Sequence, residues 1–164
     1  MFYFAYGSNI NRSQMNRRCS NQNPKFVTKG YLDGYKLVFD GYSSSRNGLV
    51  ADIRKADGFK LPFVIWEISN QDDINSLDRS EGFQIARSPE DNSYNKILID
   101  VPGYNDVYVY IMTRRFIKGR GKYHTIPSDY IETIRNGYKE FGLDESILDY
   151  AINEAKNQSA THID

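Results

Sequence analysis

A chain of 164 residues, 40% hydrophobic and 14% aromatic, is long enough for one self-sufficient core, since a domain of this size buries about 70% of the surface its unfolded chain exposes. Its 21 basic and 21 acidic side chains cancel, so no long-range field steers it toward nucleic acid or an anionic membrane, and its ligand must be argued from a local site. The single cysteine, Cys19, excludes an internal disulfide and fits a reducing, cytoplasmic setting as a small packed side chain. The apolar start turns polar by Gly7, which leaves neither the h-region of a leader nor the length of a membrane span.

Six β-branched and aromatic runs follow in order, at residues 2–6, 31–39, 49–53, 63–68, 96–101 and 107–112, and each reads as a strand. Turn-forming stretches rich in Gly, Ser, Asn, Asp and Pro separate them, among them Ala56-Asp57-Gly58 and Pro102-Gly103. Between the fourth and fifth runs, Ser69 or Asn70 caps a short helix with Asp72 and Asp73 in its first turn, Ile74 and Leu77 facing inward and Gly82 as its stop. Two more helical patterns close the chain. One starts at Pro127 with Ser128 as cap and ends at Gly142; the other starts at Asp144 and repeats Ile147, Leu148, Ala151, Ile152 and Ala155 at helical spacing. Residues 157–164 read as a frayed tail. With no linker and no repeat, residues 1–164 form one α+β domain, strands first and helices last, around a curved or barrel-like sheet.

Two local features carry chemistry. The strand Phe2-Tyr3-Phe4-Ala5-Tyr6 breaks into Gly7-Ser8-Asn9, where glycine permits close backbone approach and successive N–H groups can cradle an anion. The same residues are also ordinary turn chemistry after a strand. Glu81 stands at the C-terminal end of the short helix, where unpaired carbonyls disfavour a carboxylate and push its pKa upward, a property that suits proton transfer. A solvated surface glutamate is the alternative.

Together these segments resemble a known family. Phe2 to Asn9 and Asn75-Ser76-Leu77-Asp78-Arg79-Ser80-Glu81-Gly82 are similar to the two signature segments of the γ-glutamylcyclotransferases, of the AIG2-like superfamily, and the likeness continues through Tyr110-Ile111-Met112-Thr113 and Pro127-Ser128-Asp129-Tyr130. The resemblance implies a small mixed barrel-like sheet of about six strands with flanking and C-terminal helices. It implies an enzyme that turns γ-glutamyl compounds into 5-oxoproline and a released amine or amino acid, with no cofactor and no metal. Carried over residue by residue, it makes Glu81 the catalytic group and Tyr3, Phe4, Ala5, Tyr6, Gly7, Ser8, Asn9, Tyr94, Tyr110 and Tyr130 the substrate-binding ones. Glutathione is disfavoured, since relatives specialised for it carry a different residue where this chain has Asn9.

The expected substrate is a γ-glutamyl amino acid; a γ-glutamylamine, a γ-glutamylated metabolite intermediate and a non-catalytic binding module stay open, and so does the oligomeric state, a homodimer included. The basic stretch from Arg114 to Lys122 has the composition of a single-strand nucleic-acid binder, but overall neutrality favours a charged loop beside the pocket mouth. The two histidines, His124 and His162, and Cys19 are too scattered for a zinc site. Trp66, within an apolar run, is expected in the core.

Overall fold

The computed structural model describes residues 1–118 and 125–160. One sheet of five strands organises them in the order β2-β3-β1-β5-β4, with β1 at Phe2–Ala5, β2 at Lys25–Ser43, β3 at Gly48–Glu67, β4 at Tyr94–Val101 and β5 at Tyr104–Met112. The central β1 runs antiparallel to β3 and parallel to β5, Tyr3 lying opposite Trp66 on one side and Tyr108 on the other. Strands β2 with β3, and β4 with β5, are antiparallel hairpins.

The expected six strands become five because the third and fourth runs belong to a single strand. The turn signal at Ala56-Asp57-Gly58 does act, since Gly58 has φ 81 and faces the matching break at Gly34, φ 79. It bulges the chain without reversing it: the pairing steps from Asp33 with Lys60 to Tyr35 with Lys55, and an extra-residue bulge of this kind bends the strand. The sheet is open, with β2 and β4 as edges. Its curvature is held by side chains where a closed barrel would use a ladder: Asp52 of β3, with no exposed surface, accepts the Met112 N–H at 3.1 Å, and the Tyr94 hydroxyl donates to the Ala51 carbonyl at 2.6 Å.

Among the described residues five α-helices pack around this frame: α1 (Arg12–Arg18), α2 (Gln71–Ser80), α3 (Arg114–Lys118), α4 (Ser128–Phe141) and α5 (Glu145–Ala160). Among the described residues none is long and apolar enough to cross a membrane. Asn70 caps α2, its side chain accepting the N–H groups of Asp72 and Asp73. Pro127, not Ser128, holds the cap position of α4, which stops at a left-handed Gly142. Helix α5 continues to Ala160, so residues 157–160 of the expected tail are helical. Trp66, Phe4, Ile65, Leu77, Tyr138 and Leu148 are among the side chains of the common core.

Candidate active site

The chain leaves β1 at Ala5 and tightens into a 3-10 turn at Ser8–Ile10, closed by Ile10 N–H to Gly7 O at 3.1 Å and Asn11 N–H to Ser8 O at 3.0 Å. Among the described residues the N–H groups of Gly7 and Ser8 make no hydrogen bond. Gly7 is closely packed: a Cβ there would lie 3.2 Å from Ala51 Cβ, a tight contact, and 3.5 Å from the Tyr130 hydroxyl. Helix α4 crosses the turn so closely that a Cβ on Gly137 would sit 2.8 Å from Asn11 N.

Asn9 is the hinge of the site. Its Nδ2 donates to the Tyr3 hydroxyl at 2.8 Å and to Glu81 Oε1 at 2.9 Å. Its own position is held by Gln14 Nε2 on Oδ1 at 2.9 Å and by the buried Trp66 Nε1 on its backbone carbonyl at 2.8 Å. Glu81 occupies the C-cap of α2. Arg18, the last residue of α1, also donates to Glu81 Oε1 and forms an ion pair with it. Both donors share Oε1, which leaves Oε2 without a hydrogen-bond partner among the described residues. The helix end is thus opposed by a guanidinium that sequence reasoning missed.

Why α1 was missed is plain from its residues, among which Met15 is the one apolar side chain, so that no apolar stripe marks the helix. A usable signal was present in Asn11-Arg12-Ser13-Gln14, the spacing of a capping box, of which the structure makes the N-cap half: Asn11 Oδ1 accepts Gln14 N–H at 3.0 Å, while the Gln14 side chain turns to Ser8 and Asn9. The two helices are locked at the opposite end. Buried Asp73 of α2 accepts Asn21 N–H, Asn21 Nδ2 and Gln22 N–H at 3.0, 2.9 and 2.7 Å. Burial opposes ionisation there, but these donors prevail and hold its carboxyl below the usual carboxylate range.

Tyr94 reaches the site by a pinched loop. Ser93 N–H bonds Gly82 O at 3.2 Å, and Gln84 N–H bonds Asn92 Oδ1 at 3.0 Å, so the excursion from Phe83 to Ser93 returns the chain beside Glu81. Left-handed Gly82, φ 65, lets that neck close, since a Cβ would lie 2.8 Å from Ser93 Oγ.

An outer cleft of about 530 Å3 is lined by Ser8, Arg18, residues 43–46, Arg79, Glu81, Tyr94, Phe116 and Tyr130, among others, within the range of small-molecule sites. Beneath it lies a recess of about 30 Å3 lined by Tyr3, Tyr6, Gly7, Asn9, Ala51 and Tyr110, with Ser8, Glu81, Tyr94 and Tyr130 bordering both spaces. The structure therefore brings together Glu81, Tyr3, Tyr6, Gly7, Ser8, Asn9, Tyr94, Tyr110 and Tyr130. It does not bring Phe4 or Ala5 into either cavity. Strand alternation turns Phe4 away from Tyr3 and onto Phe63, ring centroids 4.6 Å apart, and Ala5 is fully buried in the core. Of the basic stretch, Phe116 on α3 lines the cleft and Arg115 pairs with Asp91; residues 119–124, with Lys122 and His124, lie outside the described residues, as does His162.

The five tyrosines are not equivalent. Burial, first of all, pushes each hydroxyl above its ordinary pKa, so all remain neutral. Tyr6 donates to Tyr110 O at 2.7 Å, Tyr94 to Ala51 O at 2.6 Å and Tyr110 to Asp78 Oδ1 at 2.5 Å, so their protons are spent on the fold. The Tyr3 hydroxyl accepts from Asn9 and the Tyr130 hydroxyl accepts from Ala51 N–H at 3.1 Å. Only these two keep a proton to donate, among the described residues.

The chain matches the family model described as gamma-glutamyl cyclotransferase, AIG2-like, over residues 3–131. Similar solved structures include the uncharacterized protein loc79017 from Homo sapiens, 28% identical over 94% of this chain and 85% of that one with a TM-score of 0.66. Another is a gamma-glutamyl cyclotransferase, 26% identical over 95% and 86% of the two chains, TM-score 0.67. YkqA from Bacillus subtilis, at 20% identity, shares the fold alone, with a TM-score of 0.67 over 95% of this chain and 54% of that one. No curated protein matches the chain. The match spans most of the sequence and contains both the 3-10 turn and the helix that ends at Glu81, so the chain belongs to the γ-glutamyl cyclotransferase, AIG2-like family.

Proposed function

We propose that the chain is a γ-glutamylcyclotransferase that converts γ-glutamyl amino acids to 5-oxoproline and a free amino acid, with Glu81 as general base and acid. The observation that carries this reading is the free Oε2 of Glu81 on the border between cleft and recess, its partner oxygen fixed by Asn9 and Arg18. The substrate supplies its own nucleophile. Its α-ammonium gives a proton to Glu81, the freed amine attacks the γ-carbonyl carbon, and a tetrahedral oxyanion forms. Glu81 returns the proton to the leaving nitrogen as the amide C–N bond breaks and the carbonyl re-forms, then takes the second proton of the ring nitrogen, leaving the neutral lactam N–H, and passes it to the released amine, so one carboxyl group serves every transfer.

The protein's larger task is to fold the substrate. A well-oriented intramolecular attack can supply about 7–11 kcal/mol of the barrier, so the reaction asks no nucleophile of the protein. The uncommitted N–H groups of Gly7 and Ser8 suit the oxyanion, a donor of this kind being worth about 3–4 kcal/mol. The Tyr3 and Tyr130 hydroxyls suit the glutamyl α-carboxylate. The test is 5-oxoproline release, followed by mass spectrometry, from γ-glutamyl dipeptides, γ-glutamylamines and glutathione. Glu81→Gln, which keeps the shape and cannot shuttle a proton, should lower kcat about 10²- to 10⁴-fold. Near-normal turnover by that variant would sink the role of Glu81, and no product from any substrate would sink the activity.

A further inference from the structure

The outer cleft is cationic in a way that the ring closure does not use. Among the described residues three arginines line it, Arg18, Arg46 and Arg79, against one acidic residue, Glu81. Arg18 is taken by Glu81; among the described residues neither Arg46 nor Arg79 has an ion-pair partner. We propose that Arg46, on the turn between β2 and β3, binds a carboxylate carried by the leaving amine and so selects γ-glutamyl amino acids over their amides; the assignment rests on the cyclotransferase reading above.

Arg46 is held as a receptor is held. Its guanidinium carbon lies 4.4 Å from the centre of the Tyr130 ring, the stacking geometry of a cation on an aromatic face. One of its nitrogens donates to Gln14 Oε1 at 3.4 Å. Gln14 in turn donates to Asn9, and Asn9 to Glu81, so the same chain of bonds orients the proton-transferring group and the cation. The turn is braced by Tyr42, whose hydroxyl donates to Asn47 Oδ1 at 2.8 Å. A guanidinium offers five N–H donors in a planar fork, and the bond to Gln14 uses one, which leaves a pair for bidentate recognition of a carboxylate.

Position decides which carboxylate. Arg46 borders the outer cleft and is absent from the lining of the recess, where Tyr3 and Tyr130 hold the two free hydroxyl protons. The recess, about 30 Å3, is too small to take a glutamyl group whole, so with the γ-carbonyl at Glu81 the glutamyl part faces its mouth, toward the Tyr3 and Tyr130 hydroxyls, and the leaving group extends through the cleft, against Arg46.

The experiment compares γ-glutamylalanine with γ-glutamylalaninamide, which differ only in that carboxylate, as substrates of the wild type, Arg46→Gln and Arg46→Lys. The wild type should prefer the acid by about tenfold or more in kcat/KM, chiefly through KM. In Arg46→Gln the acid-to-amide ratio should fall to within about threefold, and Arg46→Lys, which keeps the charge and loses the fork, should be intermediate. A ratio retained in Arg46→Gln overturns the assignment, including the case in which both substrates weaken together, as a contact to the glutamyl part or a folding defect would produce. A wild type without preference overturns it too. If the wild type turns over neither compound, the cyclotransferase reading fails. Calorimetric titration of the same two compounds then reads Arg46 by itself, and equal affinity for acid and amide, or a preference that survives in Arg46→Gln, overturns the assignment.

Discussion

Tyr94 and Tyr130 bracket one residue, Ala51, and this makes their hydroxyls a controlled pair. Tyr94 donates to the Ala51 carbonyl at 2.6 Å, and Tyr130 accepts the Ala51 N–H at 3.1 Å. All three residues are buried. Tyr94→Phe leaves the carbonyl unpaired and Tyr130→Phe leaves the N–H unpaired, so each should cost about 1–3 kcal/mol of stability. Affinity should separate them. The Tyr94 proton is already committed, whereas the Tyr130 proton is free to meet a substrate carboxylate, and a hydrogen bond to a charged group is worth about 1.5–3 kcal/mol, or about 10- to 150-fold in KM. Phenylalanine keeps the ring on which Arg46 stacks, so the change isolates the hydroxyl. Thermal melts should shift alike, while the KM for γ-glutamylalanine rises tenfold or more, roughly, only in Tyr130→Phe. Equal KM effects, or a KM effect confined to Tyr94→Phe, would refute the division between structural and binding tyrosines.

Three further outcomes test the frame around the site. The Asp73 carboxyl is held below its unfolded value of about 3.9 by three N–H donors; its contribution is therefore complete above that value and lost as pH falls through the lower folded one. Asp73→Asn should lower stability by about 1.5–3 kcal/mol at neutral pH and flatten the acid limb of a stability–pH curve; an unchanged acid limb would count against it. Gly137→Ala would ordinarily favour a helix by about 0.5–1 kcal/mol, but here its Cβ meets the Asn11 and Ile10 backbone at 2.8 and 3.1 Å, so a loss of about 1–3 kcal/mol is expected with a fall in kcat/KM; a raised melting temperature would show that the contact relaxes freely. Trp66→Phe removes the donor on the Asn9 carbonyl and should lower kcat more than it raises KM for γ-glutamylalanine, because it loosens the Asn9 support of Glu81; unchanged kcat would sever that link.

How much of this was legible in the sequence depended on whether the signal was local. The caps of α2 and the stop of α4 follow from Asn70 and Gly142, residues whose local chemistry suffices. The strand count comes out one lower where a turn signal meets a long hairpin: Gly58 takes its left-handed conformation, yet pairing on both sides carries β3 through it. Phe4 and Ala5 belong to the segment the family resemblance assigns to substrate binding, but alternation turns Phe4 to the face opposite Tyr3, and the central place of β1 leaves both side chains buried in the core. Arg18 was beyond reach for another reason. Its contact with Glu81 spans 63 positions and depends on how α1 is laid against α2, which no local pattern encodes.

That distance bears on how the site is built. Every group that fixes Glu81 is fixed in turn from elsewhere: Asn9 by Trp66 of β3 and Gln14 of α1, Arg18 by a helix whose exit is tied to Asp73, and the 3-10 turn by the close crossing of α4 at Gly137. A reaction in which the substrate attacks itself asks little of a protein by way of reactive groups and much by way of geometry, because orientation supplies most of the advantage and is lost with displacements of about 1 Å. The tyrosines express the same requirement. Of the five at the site, three direct their hydroxyl protons into the framework, so the rigidity of the recess is built from the same residue type that supplies its free hydroxyl donors. Sequence composition cannot separate these roles; hydrogen-bond direction can, and it leaves Tyr3 and Tyr130 as the donors beside Glu81.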